Sequence, residues 1–420
     1  MLSKNYKIIL SSCIATIFEW YDYTLSIHFA VTIANNFFPK ANQSATLLEA
    51  LLVFAVGYLV RPIGGIFFGI IGDKFGRKEA VAMSVICISL PTTIIGILPT
   101  YQSIGVSATI IITITRLLQG LSVGGNLTGS VSFLIENSNK KNHGLLGSLL
   151  MFSLCIGIFL GLLTSYLMKA NLTSEQFNNW GWRIPFLLGS PIILLGIYIK
   201  YAIQDTPIFK QMQTTNKIEK SPFRKTLRSH WRDILISIMI NSTGSVIFYF
   251  EAAYLIHYLE FSKGFDKTEI DYLNKFCCII MAVVTLLSGW LYDRIGAKKL
   301  YTTIIISVIL SIGFITQLLE QGNFNVAIFA QIAVAILAAL YIGAEPAMQS
   351  ALYCSNIRNT ALSLSYNISV SIFGGTAPII FEYLVQTTGS LHSVAYYIAS
   401  CSVISLIGIY LYKKKANYLD

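Results

Sequence analysis

GIIGDKFGRK at residues 69–78 returns as GWLYDRIGAKK at 289–299, an offset of 220 residues (289 minus 69). The first copy carries Gly69, Asp73, Lys74, Gly76, Arg77 and Lys78. The second carries Gly289, Asp293, Arg294, Gly296, Lys298 and Lys299. Each copy closes an apolar run and opens a short loop. One basic loop of this kind would merely satisfy a topology rule. Two copies, six apolar runs apart, are the mark of duplicated halves around a midplane site. The glycines let helices approach closely. The aspartates and the basic side chains can pair with each other and with helix ends. These loops are therefore expected to form a gating latch at the membrane rim rather than a substrate site.

The apolar runs around them set the class. Of 420 residues, 54% are hydrophobic and only 12% charged, against about 25% charged in soluble domains. A helix needs roughly 20 apolar residues to cross the hydrocarbon core. Spans are predicted near 8–37, 45–71, 79–98, 106–135, 144–168, 182–203, 233–259, 270–292, 299–319, 324–351, 359–387 and 392–412. This is an all-α integral membrane protein with twelve transmembrane helices in two six-helix bundles. The expected division is 1–203, a polar linker at 204–232 holding Pro207 and Pro222, and 233–420. The first run carries Glu19 and Asp22 and is too long for the apolar core of a cleaved leader.

The net charge is +10, which in a soluble protein would raise nucleic acid as a partner. Here the basic residues lie between the apolar runs. The side that holds both termini and the latch loops carries 21 Lys and Arg, from Lys4 to Lys415. The opposite side carries five: Lys40, Lys169, Arg183, Lys263 and Lys267. The asymmetry places both termini in the cytoplasm and excludes nucleic acid as the reason for the charge. Seven cysteines, none in a CxxC pair, read as small buried hydrophobes, with no disulfide framework or metal site. No GxSxG, HExxH or Walker loop is present, so neither an enzyme nor an ATP-driven pump is expected, and no cofactor beyond a coupling proton.

Ionisable groups at membrane depth are functional candidates by default. Glu19 lies about 16 Å along the first span, near the midplane, with Asp22 on the same face at i+3. Two carboxylates so close in low dielectric cannot both ionise easily, so one can carry a proton. Arg116, in TRLLQGLSVGGNLTGS, is the natural partner for one of them or for a substrate carboxylate. Arg61, before Pro62, reads as structural, beside the latch. Glu251 and Glu345 are further candidates, and Pro346 is expected to break the tenth helix and expose a carbonyl. Aromatics cluster nearby: Trp20, Tyr21 and Tyr23, then Phe248, Tyr249, Phe250 and Tyr254. Rings beside a carboxylate suit a quaternary ammonium; plain packing is the alternative.

FEWYDY at 18–23, RPIGGIFFGIIGDKFGRK at 61–78, QGLSVGG at 119–125, WGWRIPF at 180–186 and DTPIF at 205–209 resemble the major facilitator superfamily, and within it the metabolite–proton symporter group. The segment from Ile357 to Tyr397 is most similar to bacterial proline/betaine transporters. The resemblance implies solute–proton symport across a bacterial inner membrane by a monomer, with Glu19, Asp22 and Arg116 in coupling and substrate binding. Relatives usually carry an acid after QGxSVGG, where this chain has Asn126. A neutral amide cannot carry a proton, so coupling would rest on Glu19 and Asp22. The osmosensing members carry a long C-terminal coiled coil; this sequence stops at Asp420, so osmosensing by that device is not expected. The leading expectation is a proton-coupled importer of a small zwitterion such as proline or glycine betaine. A carboxylate–proton symporter of the same group, and a transporter-derived sensor that binds without flux, remain open.

Overall fold

A computed structural model describes residues 2–39, 57 and 60–414, without the side chains of residues 2–5 and 140. The start of the predicted second span, Lys40 and Lys415 lie outside the described residues. Long helices account for nearly everything else. They are α1 (Leu2–His28), α2 (Arg61–Lys74), α3 (Arg77–Ile97), α4 (Val106–Glu136), α5 (His143–Asn171) and α6 (Gly181–Ala202). After the linker come α7 (Trp231–Ser262), α8 (Lys267–Ile295), α9 (Ala297–Glu320), α10 (Phe324–Ser350), α11 (Arg358–Thr388) and α12 (His392–Leu411). From α3 to α6 and from α7 to α12, these ten are each long and apolar enough to cross a membrane. The described part of α2 has only 14 residues. Without water to satisfy the backbone, helices that bond internally are the way such a chain crosses lipid. The outer faces agree, with Leu310 77% and Ile379 73% exposed. Ser, Thr, Asn and charged side chains are instead buried between helices.

Within the first half α1 packs on α5, and α4 on α2 and α3. Within the second, α8 packs on α10, and α7 on α12. The two most extensive contacts between the halves are α5 against α8 and α2 against α11. In each case the second helix of one half meets the fifth of the other, as the duplicated loops imply.

The linker at 204–232 holds helices at Pro207–Thr214 and Pro222–Ser229 that bury Phe209, Met212 and Thr226. One expectation needs correcting. Pro346 does not break its helix: α10 runs on to Ser350. Proline removes one N–H and crowds the preceding turn, and neighbouring helices in a membrane protein tolerate the local loss. α7 is irregular where no proline predicts it. Wide π turns at Phe250–Tyr254 and Tyr258–Ser262 interrupt it, and α11 has one at Val370–Gly375. Such turns concentrate at functional sites.

Candidate functional site

Buried charges tie the halves together where α2, α4, α8 and α10 end. Asp73, in the last turn of α2, accepts the N–H groups of Asn359 at 3.1 Å and Thr360 at 2.9 Å. These open α11, so the carboxylate sits on the positive end of a helix from the other half. Arg77 donates to Asp73 at 3.2 Å and to Glu136 at 3.0 and 3.1 Å. It also reaches the carbonyl of Ser355 in the second half. Arg358 donates to Glu136 at 2.7 Å. Glu136 therefore serves one arginine from each half. Asp73 and Arg77 have no exposure and Arg358 only 1%; charges so buried persist only when fully paired. In the linker beside them, burial holds the Asp205 carboxyl above the usual carboxylate range, partly offset by the Thr206 N–H and Arg77.

The second copy repeats the helix contact. Asp293, in the last turn of α8, accepts the N–H groups of Gly144 at 2.8 Å and Leu145 at 2.9 Å, which open α5. The glycines are where the helices touch. A Cβ on Gly69 would lie 2.7 Å from the Cα of Thr360, and one on Gly289 would lie 2.5 Å from the carbonyl oxygen of Gly144. Gly76, with φ of +122°, makes the turn into α3, a conformation that favours glycine. Not every latch residue joins in. Lys78 donates to the carbonyl of Lys200 at 2.9 Å. Arg294 is exposed and lies 4.5 Å over the Trp290 ring. Glu136 and Arg358 were missed in the sequence. Arg358 counted only toward the charge asymmetry, and Glu136 gave no signal beyond being an acid at the end of an apolar run.

Deeper in the first half, Glu19 and Asp22 are both buried but belong to separate networks. Glu19 Oε2 accepts from Asn126 Nδ2 at 2.8 Å, and Asn126 Oδ1 accepts from Ser84 at 3.1 Å. Asp22 accepts from Thr92 at 2.6 Å and, through both oxygens, from Gln119 Nε2 at 3.0 Å. Arg116 does not bond Asp22 directly. It donates to Gln119 Oε1 at 2.9 Å and to Ser26, so an amide stands between the charges.

Between the halves lies a central cavity of about 60 Å³, room for several waters. Its charged lining, among the described residues, is Glu19, Arg61 and Glu345. Asp22 and Arg116 do not line it. Arg61 thus faces the cavity, rather than only standing beside the latch, with its guanidinium 5.2 Å from the Tyr23 ring. Glu345 Oε1 accepts from Gln349 at 2.7 Å. Trp20, Phe248 and Tyr249 also line the cavity, whereas Phe250 and Tyr254 pack on Phe381.

A second cavity of about 340 Å³ opens on the side away from the latch. Trp20, Phe248 and Tyr249 border both spaces and form the partition. Trp20 meets Phe248 edge-on at 5.9 Å, and Phe248 meets Tyr249 at 5.5 Å. Glu251 lines the larger space from a π turn of α7, 1% exposed, with Gln331 beside its carboxylate; its Oε1 meets no well-aligned hydrogen-bond donor among the described residues.

A proline/betaine transporter of Salmonella typhimurium is 32% identical over 99% of this chain and 84% of its own length. A glycine betaine/proline/ectoine/pipecolic acid transporter of Dickeya dadantii is 30% identical over 98% and 84%. The family described as "Sugar (and other) transporter" matches residues 8–229, and "MFS/sugar transport protein" matches 128–353. The chain belongs to the major facilitator superfamily. This major facilitator protein is a multi-pass membrane transporter, and its fold is that of solved superfamily members. The proton:xylose symporter XylE bound to 6-bromo-6-deoxy-D-glucose aligns with a TM-score of 0.80 at 15% identity, covering 99% of this chain and 97% of that one. In a major facilitator protein the interface between repeats is where a solute site belongs, and the central cavity lies there.

Proposed function

We propose that this transporter carries a small zwitterion, of the proline or glycine betaine kind, together with a proton across the bacterial cytoplasmic membrane. The latch side is the cytoplasmic side, both termini are cytoplasmic, and the protein acts as a monomer with halves at 1–203 and 233–420. Access alternates as the halves rock about the central cavity. The observation that carries the reading is the cavity's charge. Two carboxylates, Glu19 and Glu345, face one guanidinium, Arg61. With all three ionised the described lining sums to −1. That balance accepts a zwitterion plus a proton and repels a dicarboxylate. The names of the relatives point the same way. Glu19 is the group assigned to the proton, with Asn126 holding it in place, while Asp22, Gln119 and Arg116 form a separate buried network that does not line the cavity.

The test is uptake of labelled proline and glycine betaine into proteoliposomes, with and without an inward proton gradient. Gradient-dependent accumulation supports symport and identifies the solute class together. Glu19→Gln should then abolish accumulation and keep counterflow, because exchange requires no net proton movement. Full accumulation by Glu19→Gln removes that residue from coupling. Saturable binding without flux by the unaltered protein would favour a sensor, and uptake of dicarboxylates alone would overturn the zwitterion reading.

A further inference from the structure

The cavity's two walls differ in what they leave unsatisfied. On the second half, Glu345 has one oxygen tied to Gln349, whose own Oε1 accepts from Ser237 at 2.9 Å. Among the described residues the other oxygen has no donor. It lies 3.2 Å from the point a Cβ on Gly244 would occupy. On the same half, Asn241 is 2% exposed. Its Oδ1 accepts from Ser245 at 3.1 Å, while its Nδ2 has no acceptor among the described residues. On the first half, Glu19 is held by Asn126 and lies within electrostatic reach of Arg61. Its charge is therefore already opposed. A buried donor left without an acceptor is costly, and a carboxylate oxygen open to the cavity with no donor beside it attracts a cation. Around one cavity they describe a ligand with an anionic and a cationic end.

We infer that the substrate lies across the cavity with its carboxylate on Arg61 and the Asn241 amide, and its ammonium against Glu345 beside Trp20, Phe248 and Tyr249. The inference rests on the zwitterion reading above and assigns that site's polarity. A guanidinium presents paired donors suited to a carboxylate. A quaternary or secondary ammonium is held by aromatic faces and by charge. The partition rings supply the faces, and Glu345 supplies the charge that Glu19, already countered, does not. Because Arg61 belongs to one half and Glu345 to the other, the bound solute bridges them. Both ends must be engaged for the cavity to close around it.

The experiment measures binding of labelled glycine betaine to the purified protein in nanodiscs, with two competitors. One is 3,3-dimethylbutanoate, the same shape without the positive charge. The other is glycine betaine methyl ester, one methyl larger and without the negative charge. The unaltered protein should prefer glycine betaine to each by about 10- to 100-fold, the worth of one charge-assisted contact. Glu345→Gln should erase the preference over dimethylbutanoate and keep the preference over the ester. Arg61→Gln should do the reverse. Arg61→Lys, which keeps the charge, and Asn241→Leu, which removes only the amide, guard against an Arg61→Gln protein that does not fold. The first should retain part of the preference over the ester and the second should lose part of it. Exchanged effects, or preferences unmoved in every variant while glycine betaine still binds, overturn the orientation alone. An unaltered protein that binds neither glycine betaine nor proline overturns the functional reading and the orientation with it.

Discussion

Asp73→Asn changes one atom at the tightest point of the latch, and its consequence can be worked from contacts. Asp73 Oδ1 serves Arg77 and the Asn359 N–H, and Oδ2 serves the Thr360 N–H. An asparagine keeps one oxygen and turns an amino group toward whichever N–H the other oxygen had accepted. One charge-assisted hydrogen bond is lost, about 1.5–3 kcal/mol. The negative charge at the start of α11 goes with it, about 0.3–1 kcal/mol and up to about 2 when partly buried. The closed latch should lose roughly 2–4 kcal/mol against the open one, a shift of about 30- to 1,000-fold in their ratio. Cys354 is a native reporter: it lies buried in the segment joining α10 and α11, next to Ser355, whose carbonyl Arg77 holds. Maleimide labelling of Cys354, quantified by mass spectrometry against an unfolded reference, should accelerate by at least tenfold in Asp73→Asn. Transport turnover should fall far more than solute binding. Labelling within twofold of the unaltered protein, in a variant that stays folded, would refute the latch energetics. Turnover left unchanged would reduce the loop to a topology signal.

Glu136→Gln should speed Cys354 labelling at least as much, because that carboxylate pairs with Arg77 and Arg358 together. Asp293→Asn, whose carboxylate has backbone partners from α5 but no buried arginine, should have a smaller effect on turnover. Gly69→Val should hold α2 and α11 apart and leave Cys354 open to reagent without solute, because its Cβ would meet the Thr360 Cα at 2.7 Å. Unchanged labelling there would show that the helices can slide past the added atoms. Glu251→Gln should bind solute normally while losing gradient-driven accumulation, if the buried carboxyl takes protons from the larger cavity that it lines; normal accumulation would leave Glu251 a packing residue.

The all-helical membrane fold and the pairing of the repeated loops with helices of the other half could be read from the sequence because each depends on local pattern. Apolar runs of membrane length, a charge asymmetry across loops and a repeat at fixed offset all survive without coordinates. The interior could not be read as well. Arg61 and Arg116 look alike in one dimension, each a lone arginine within an apolar run. Helix rotation turns Arg61 toward the cavity and Arg116 toward Gln119 and Ser26, and nothing local marks the difference. Glu19 and Asp22 share a face, yet neighbours from α3 and α4 divide them into two networks. The partners of Glu136 come from 59, 70 and 222 residues away in the chain. The π turns of α7 and α11 carry no composition of their own, since tertiary packing and not propensity creates them.

The two aspartates of the latch cross over: Asp73 in the first half grips α11 of the second, and Asp293 in the second grips α5 of the first. A lone six-helix unit meeting its own copy would form both grips from a single set of residues, as the isologous face of a homodimer does. Joining two such units in one chain leaves that chemistry intact and releases each copy to change alone. The present protein records the divergence. Arg77 keeps a fully buried set of partners, while the position 220 residues later is Ala297 and Arg294 lies on the surface. Covalent fusion is thus the step that allows one side of a symmetric clasp to gain buried ion pairs that the other lacks.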